Sequence, residues 1–431
     1  MTLLDQVGTA LDALTSRGLR RSRREVTLAA IAPTDAAPDG SRGRHLVVDG
    51  RTLLAFCSND YLGLATHPLI AQAMAHGAIT EGAGSGASAL ISGHRAVHAR
   101  LEERLAGLYQ PWIDSADVLC LTSGYAANLA LVDGLCDLAM AGPDASVEIF
   151  SEALNHASLV DGTRVARAHH GARVSVYPHC DTEALASLLS RSEATSRIIL
   201  TDSVFSMDGD IAPLKRLAAL AAVHDAWLVV DDAHGFGVLG AQGLGALEHL
   251  ALRSPNIILM GTLGKAAGVS GAFIAAHRTV IEWLVNRART HVFSTASPPA
   301  LAHALLASID IIVGDEGRAR RAHLAQLSAQ LATQLGARLP RDRWQLVPTA
   351  AAIHPIIIGE NPATLRAAAH LQAEGLWVPA IRPPTVPAGR ARLRVTLSAA
   401  HRTDDVTHLV DALVRAEHAE PTTKKTGIAR P

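Results

Sequence analysis

Lys265 is a single lysine set among glycines and small residues, directly after an apolar run. Residues 257–260 read as a buried strand, and no carboxylate lies within ten residues of Lys265 on either side. Burial lowers the pKa of a lysine amine and makes it a nucleophile suited to Schiff-base chemistry. The small residues around it would let a flat, bulky group come close. Taken alone, Lys265 is more simply interpreted as an ordinary loop lysine.

Asp231 and His234 follow another apolar run, residues 227–231. A carboxylate at the carboxyl end of a buried strand is costly unless it is paired. A buried aspartate can keep a pyridine nitrogen protonated, and this makes pyridoxal phosphate an electron sink. His234 could then reach the phenolic oxygen of the same cofactor. Helix capping or an arginine partner would also explain Asp231, and a lone histidine is more often structural.

Polar residues follow three further apolar runs. Gly124 and Tyr125 lie at a predicted helix start, where free backbone N–H groups hold phosphate well. A plain strand-to-helix turn would produce the same sequence. His156 could stack on an aromatic cofactor or cap a helix. Ser206 lies in a segment that turn chemistry alone would explain.

The elements that must position these residues follow a regular pattern. Short apolar runs alternate with helix-like segments, and the runs are residues 118–122, 147–150, 173–177, 197–201, 227–231, 256–260 and 272–276. Runs without polar alternation indicate strands covered on both faces, so we predict an α/β domain with a mainly parallel sheet. Ligands gather beyond the carboxyl ends of such strands. The candidate residues, in this order, match the layout of an aspartate-aminotransferase-type pyridoxal phosphate enzyme.

Smaller units are predicted on both sides of this domain. A helix is expected over residues 3–20 and a hairpin over 46–56, turning at Asp49 and Gly50. A long helical region, roughly 300–337, leads to a small α+β unit in which LWVPAI and ARLRVTL form a strand pair. We therefore divide the chain into an N-terminal helix, basic arm and hairpin (1–60), a large cofactor domain (61–300), a small C-terminal domain (301–419) and a disordered tail (420–431).

Composition excludes several classes of protein. The net charge of −1 gives no basic excess for nucleic acid, and no apolar run reaches transmembrane length without a charge. The four cysteines show neither a CxxC pair nor Cys/His metal spacing, so we expect no disulfide and no metal site. The N-terminus lacks the basic segment of a secretory signal, and a cytoplasmic protein is the expectation. The glycines at 82–86 miss the dinucleotide pattern, and no G-x-S-x-G motif occurs.

The chain resembles the α-oxoamine synthases, a family of fold type I pyridoxal phosphate enzymes, over nearly its whole length. The resemblance rests on residues 58–64 (SNDYLGL), 84–94 (GSGASALISGH), 123–128 (SGYAAN), 155–159 (NHASL), 204–214 (VFSMDGDIAPL), 230–240 (VDDAHGFGVLG), 262–272 (TLGKAAGVSGA) and 380–401 (AIRPPTVPAGRARLRVTLSAAH). The last stretch looks like the biotin-pathway branch rather than the aminolevulinate synthases, the threonine-pathway ligase or serine palmitoyltransferase.

The resemblance implies a role for each candidate residue. Lys265 would bind the cofactor covalently, Asp231 its pyridine nitrogen and His234 its phenolic oxygen. The other cofactor contacts would be His156 stacked on the ring, Ser206 near its substituents, Gly124, Tyr125 and Thr262 on the phosphate, and Thr295 reaching the phosphate of a neighbouring subunit. Substrate would be bound by Arg20 (or the adjacent Arg21), Asn59, Thr385 and Arg394, with Arg394 on the amino-acid carboxylate.

The resemblance also implies a reaction, in which L-alanine condenses with a pimeloyl thioester, carried on CoA or acyl carrier protein, with loss of CO2. It implies a homodimer with sites built from both subunits. A sister synthase that uses glycine or serine is the alternative within the family. A non-catalytic relative that scaffolds a partner is a second alternative, disfavoured by the intact Lys265, Asp231 and His156. An NAD enzyme is disfavoured by the broken glycine pattern.

Overall fold

The N-terminal segment forms a helix and part of a small sheet. A computed structural model describes residues 1–29, 41–140, 142, 144–339 and 343–420. Its first elements are α1 (Leu3–Ser16), β1 (Val26–Leu28), β2 (His45–Val48) and β3 (Arg51–Ala55). Helix α1 ends earlier than predicted, because Gly18 adopts a left-handed backbone conformation shortly after Ser16. The predicted hairpin is present, and both turn residues have the positive φ that tight hairpin turns favour.

A seven-stranded sheet forms the centre of the fold. Its strands are β4 (Ala116–Leu121), β5 (Val147–Glu152), β6 (Arg173–Tyr177), β7 (Ser196–Asp202), β8 (Ala226–Asp231), β9 (Ile257–Thr262) and β10 (Ala272–His277). The spatial order is β4-β10-β9-β8-β7-β5-β6, and β10 pairs antiparallel with both of its neighbours. The other described pairings are parallel. The prediction of an α/β fold with a mainly parallel sheet is confirmed.

Helices cover this sheet on both faces. They are α2 (Pro68–Glu81), α3 (Ala96–Tyr109), α4 (Gly124–Ala139), α5 (Ala157–His170), α6 (Thr182–Ser190), α7 (Leu214–Val223), α8 (Ala246–Leu250), α9 (Arg278–Arg287) and α10 (Arg289–Val292). Successive residues of one strand enter different apolar clusters: Leu228 belongs to one and Val229 to the other. This two-sided burial explains why the strands are continuously apolar.

The C-terminal part adds helices and a four-stranded antiparallel sheet. Its elements are α11 (Pro299–Val313), α12 (Asp315–Arg338), β11 (Gln345–Leu346), β12 (Ile353–Gly359), α13 (Asn361–Ala373), β13 (Leu376–Trp377), β14 (Ala380–Ile381), β15 (Ala391–Thr396) and α14 (Thr403–Ala419). The sheet order is β11-β12-β15-β14. The predicted helical region 300–337 is interrupted at Gly314, which has an extended backbone.

The predicted strand pair of LWVPAI and ARLRVTL is confirmed only for the last two residues of LWVPAI. Only β14 pairs with β15, whereas β13 pairs in parallel with β3 of the N-terminal hairpin. The segment therefore divides between two sheets, and the N-terminal sheet has the order β1-β2-β3-β13. No helix in the described ranges combines the length and apolar character needed to cross a bilayer. The tail at 421–431 lies outside the described residues.

Candidate active site

A cavity of about 150 Å³ lies among the loops that follow the strands of the central sheet. Its walls contain the predicted residues Gly124, Tyr125, His156, Asp231, His234, Thr262 and Lys265. Asn128, Ser158, Asp202, Ala233 and Met260 complete the lining. These residues come from the ends of β4, β5, β7, β8 and β9, so the rule that ligands gather beyond carboxyl strand ends locates the cavity correctly.

Lys265 lies in the cavity with its amine against His234. The Lys265 Nζ atom is 2.9 Å from His234 Nε2, and His234 Nδ1 is 2.5 Å from the Tyr61 hydroxyl. Burial lowers the pKa of Lys265 to about 8, although Asp231 and Asp202 oppose that shift. A neutral, nucleophilic amine is therefore far more populated near pH 7 than in an exposed lysine.

His234 is buried as a neutral imidazole. Burial, together with the charge of Lys265, holds the pKa of His234 well below its usual value. Each ring nitrogen has one polar neighbour, Tyr61 or Lys265. These contacts fix the ring in the cavity wall beside the amine.

Asp231 presents a buried carboxylate to the cavity. Its oxygens accept hydrogen bonds from Asn128 Nδ2 at 2.7 Å and from the backbone N–H of Ala233 at 3.0 Å. No ion pair to Asp231 occurs within the described parts of the chain. A buried carboxylate needs a partner, and a protonated ring nitrogen would supply the missing positive charge.

Asp202, on the adjacent strand, lies in register with Asp231. Burial and the charge of Asp231 raise the pKa of the Asp202 carboxyl. Asp202 Oδ1 accepts the backbone N–H of His156 at 3.0 Å, so this second acid also fixes the start of α5. The sequence reasoning missed Asp202, although its place at the end of the fourth strand was a usable signal.

The ring of His156 is connected to Asp231 through two residues that the sequence reasoning missed. His156 Nδ1 lies 2.7 Å from the Ser158 hydroxyl, which in turn accepts from Asn128 Nδ2 at 2.8 Å. The same Asn128 amide donates to Asp231. One hydrogen-bond network therefore positions both His156, proposed to cover the cofactor ring, and Asp231, proposed to bind the ring nitrogen.

A phosphate-sized anion would meet favourable groups at the start of α4. Gly124 and Tyr125 are its first residues, and a helix N-terminus favours negative charge. A Cβ atom at Gly124 would lie 3.8 Å from the hydroxyl of Thr262, which places the two predicted phosphate contacts side by side. The Tyr125 ring meets the His156 ring edge-on at 6.4 Å, while its hydroxyl donates to Asp161.

Gly261 and Gly268 serve close packing of the protein itself, whereas a Cβ atom at Gly264 would lie 3.9 Å from its nearest neighbour. A Cβ atom at Gly261 would lie 2.3 Å from the Phe273 ring, and one at Gly268 would lie 2.5 Å from the backbone of Ala65. Gly268 also has a φ of 69°. The interpretation of the small residues as room for a bulky group is therefore wrong for Gly268, and for Gly264 it stays a prediction.

Arg394, Asn59 and Ser206 form a second group that contacts the cavity through Tyr61. Arg394 Nε donates to the Ser206 carbonyl at 2.6 Å, and both terminal nitrogens lie 3.4 Å from Asn59 Oδ1. Asn59 Oδ1 also accepts from the Tyr61 hydroxyl at 3.2 Å. Ser206 thus contributes a backbone carbonyl here, and its hydroxyl forms no hydrogen bond with the described residues.

The remaining predicted residues lie apart from the cavity within one chain. Arg21, rather than Arg20, reaches Thr385, with 3.1 Å between Arg21 Nη2 and Thr385 Oγ1. Arg20 instead points to the Thr15 hydroxyl at 3.4 Å. Thr295 lines a separate cavity and forms an isolated β-bridge with Ser88.

Comparison with known proteins decides the family. The sequence profile of the family "Aminotransferase class I and II" matches residues 51–413. The 8-amino-7-oxononanoate synthase of Bordetella petrii is 59% identical over 413 residues, which cover 96% of this chain and 98% of that protein. The enzyme of the same name from Burkholderia orbicola is 55% identical over 419 residues, covering 97% of each chain. The chain belongs to the 8-amino-7-oxononanoate synthase family.

Solved structures agree with this assignment. Serine palmitoyltransferase of Sphingomonas wittichii superposes with a TM-score of 0.82 at 26% identity, over 97% of this chain and 99% of that one. The 8-amino-7-oxononanoate synthase of Francisella tularensis superposes with a TM-score of 0.69 at 26% identity, over 84% and 97%. Members of the synthase family are pyridoxal phosphate-dependent acyltransferases, so this chain is such an enzyme and pyridoxal phosphate is its cofactor.

The cavity of this synthase family member fits that cofactor. Asp231 forms no ion pair within the described residues, and a protonated pyridine nitrogen would give it one. Lys265 offers an amine of lowered pKa for the aldehyde of the cofactor. The start of α4 and Thr262 suit its phosphate, and His156 lies ready to cover its ring. When bound, the cofactor supplies an electron sink for negative charge that develops on a substrate carbon.

Proposed function

We propose that this enzyme condenses L-alanine with a pimeloyl thioester, giving 8-amino-7-oxononanoate, CO2 and a free thiol in biotin biosynthesis. The names of its relatives support this reaction class. One observation in the chain supports the amino-acid half of the reaction. It is the buried Arg394 guanidinium, which has no carboxylate partner in the described ranges.

Arg394 is suited to bind the carboxylate of an amino acid. Only 5% of this residue is exposed, and its contacts are the Ser206 carbonyl, the Thr396 hydroxyl and the Asn59 side-chain oxygen. A buried charge is costly without a counter-charge, and a guanidinium binds a carboxylate through two parallel hydrogen bonds. An α-carboxylate placed there would supply the missing charge and direct the α-carbon toward Lys265.

Lys265 is the residue we assign to proton transfer at the α-carbon. With a pKa of about 8, its amine can both accept and return a proton near neutral pH. Asp231 would keep the ring nitrogen of the cofactor protonated, and His156 would hold the ring against the opposite wall. The neutral His234 and Tyr61 would orient polar groups at the ring without adding a competing charge.

The acyl half of the substrate would reach a second cavity, of about 240 Å³, between the N-terminal arm and the small domain. Its lining contains Leu19, Arg21, Ala380, Ile381, Arg382, Pro383 and Thr385. The guanidinium groups of Arg21 and Arg382 and the hydroxyl of Thr385 could bind a terminal carboxylate or a phosphate. We therefore assign the acyl contact to Arg21 and Thr385 rather than to Arg20.

Alanine substitution at Arg21 is expected to raise the KM for the thioester by roughly tenfold, because one charge-assisted hydrogen bond is lost. The KM for L-alanine should stay within about twofold. Arg20→Ala is the matched control, since within the described residues the guanidinium of Arg20 hydrogen-bonds only to Thr15. Steady-state kinetics in both substrates would measure the effect. A larger effect at Arg20 than at Arg21 would reverse the assignment.

The reaction itself is tested by incubating the purified enzyme with L-alanine and either pimeloyl-CoA or pimeloyl-acyl carrier protein. Mass spectrometry should detect 8-amino-7-oxononanoate, and CO2 should appear in equal amount. Parallel incubations with glycine and L-serine test the alternative within the family. Faster CO2 release with either of those amino acids would replace L-alanine as the substrate.

We further propose that the enzyme is a cytoplasmic homodimer. Three large apolar side chains, Ile79, Ile91 and Phe293, are 85%, 82% and 72% exposed in the single chain, and a second copy could cover them. Thr295 lies close to Phe293 in sequence and would then face the partner. Light scattering of the purified protein should give twice the mass of 45.2 kDa, and a monomer mass would reject the proposal.

A further inference from the structure

His179, Cys180 and Asp210 bring three potential metal-binding atoms together outside the active-site cavity. His179 Nε2 lies 2.8 Å from Asp210 Oδ2, and the Cys180 Sγ atom lies 3.8 Å from His179 Nε2 and 3.9 Å from Asp210 Oδ2. His179 and Cys180 follow β6, whereas Asp210 precedes α7. The cluster therefore connects two loops that are distant in sequence.

These distances match the spacing of ligands around a tetrahedral zinc ion. With Zn–N and Zn–O near 2.0–2.1 Å and Zn–S near 2.3 Å, the sulfur would lie roughly 3.6 Å from each lighter ligand atom. Both sulfur distances here are within about 0.3 Å of that value. Only the His179–Asp210 separation would need to lengthen, from 2.8 Å to roughly 3.3 Å.

The residues around His179 hold its ring in place in the way that is common for metal-bound histidines. Its other nitrogen, Nδ1, lies 2.7 Å from the buried Glu152 carboxylate, the outer contact that ligating histidines commonly make. The Phe205 ring packs edge-on against it, with centroids 4.6 Å apart. Asp210 Oδ1 is buried and has no hydrogen-bond partner in the described ranges, so no hydrogen bond there offsets its burial.

The cluster already stabilises positive charge, and solvent can reach it. Hydrogen bonds to Asp210, Cys180 and Glu152 raise the pKa of His179 to about 12. The side chains of His179 and Asp210 are about one third exposed, which leaves access for a metal and for a water as fourth ligand.

We propose that His179, Cys180 and Asp210 form a binding site for a transition-metal dication of the zinc class. Binding requires a free electron pair on His179 Nε2 and the thiolate form of Cys180, so the protons on these two atoms leave as the metal binds. The metal then takes His179 Nε2, the Cys180 thiolate, an Asp210 oxygen and one water. Because both protons compete with the metal, affinity rises with pH.

Cobalt(II) added to the untagged holoenzyme at pH 8 is the direct test. A thiolate ligand gives an intense near-ultraviolet charge-transfer band, accompanied by the visible bands of tetrahedral cobalt. We expect one such site per chain, reversal by Zn²⁺, and release of protons in weakly buffered solution. The thiolate band also separates this site from Asp133, His169 and His170, a second cluster with metal-binding spacing but without a cysteine.

Matched variants decide the result. Cys180→Ser and His179→Gln should each either remove the thiolate band or prevent the site from saturating with cobalt. Glu152→Gln should weaken cobalt binding by roughly 10- to 100-fold. Cys57→Ser, at another partly buried cysteine, should bind as the unchanged protein does. Circular dichroism shows whether each variant is folded. The absence of a thiolate band, or its survival in folded Cys180→Ser protein, would overturn the proposal.

Discussion

Replacing Lys265 with alanine is expected to abolish the visible absorbance of the bound cofactor and to lower turnover by roughly 10⁴-fold or more. The lysine supplies both the covalent attachment and the base at the α-carbon, so one substitution removes two functions. Its amine is buried, lies 2.9 Å from His234 and has a pKa lowered to about 8. The other lysine in the described ranges, Lys215, lies exposed on α7 and has no comparable environment.

Lys215→Ala is therefore the matched control, and it should keep both the spectrum and the activity. Borohydride reduction of the holoenzyme followed by peptide mapping gives an independent check, since the label should appear on Lys265 alone. A Lys265→Ala protein that retains its visible absorbance and its turnover would contradict the central assignment.

Asp231→Asn is expected to leave the cofactor bound but to slow exchange of the α-proton of L-alanine by roughly 10²- to 10⁴-fold. Asparagine has nearly the same shape and can keep one of the two hydrogen bonds to Asn128 and Ala233. It cannot keep the ring nitrogen charged, and removing one member of a buried ion pair costs about 3–5 kcal/mol. Exchange in deuterated water, followed by NMR, measures the step without the acyl substrate.

The neighbouring Asp232 provides the control for Asp231. Its carboxylate accepts from the Ser203 hydroxyl at 2.5 Å and from the Ala246 backbone at 3.0 Å, and it does not line the cavity. Asp232→Asn should lower the melting temperature while exchange in the folded protein stays near normal. If the two variants slowed exchange equally, a general disturbance of the loop would explain both.

The central fold was predictable because its sequence signals are local. Strands buried on both faces are continuously apolar, and β5 and β9 show full burial along their length. Each polar candidate directly follows such a strand, so its position at one edge of the sheet follows from topology alone. The prediction of Gly124, Tyr125, His156, Asp231, His234, Thr262 and Lys265 as neighbours needed no knowledge of side-chain contacts.

The residues that the sequence analysis missed act across long separations. Asn128 lies inside α4, and nothing in its local sequence shows that it contacts Ser158 and Asp231. The choice of Arg21 over Arg20 depends on the path of the arm toward Thr385, 364 positions away. Asp210 lies thirty positions after Cys180, a spacing that no short metal-binding motif contains.

The pairing of β13 with β3 makes the order of synthesis important for this chain. Leu54 and Ala55 are made early, but their partners Leu376 and Trp377 leave the ribosome only after the central sheet is complete. Until then one edge of the N-terminal sheet is open, and an open edge invites pairing with other chains. A nascent or truncated chain that ends before residue 376 would contain every residue lining the active-site cavity. It would nevertheless be prone to aggregate, because β3, just before Asn59, would lack one of its two neighbouring strands.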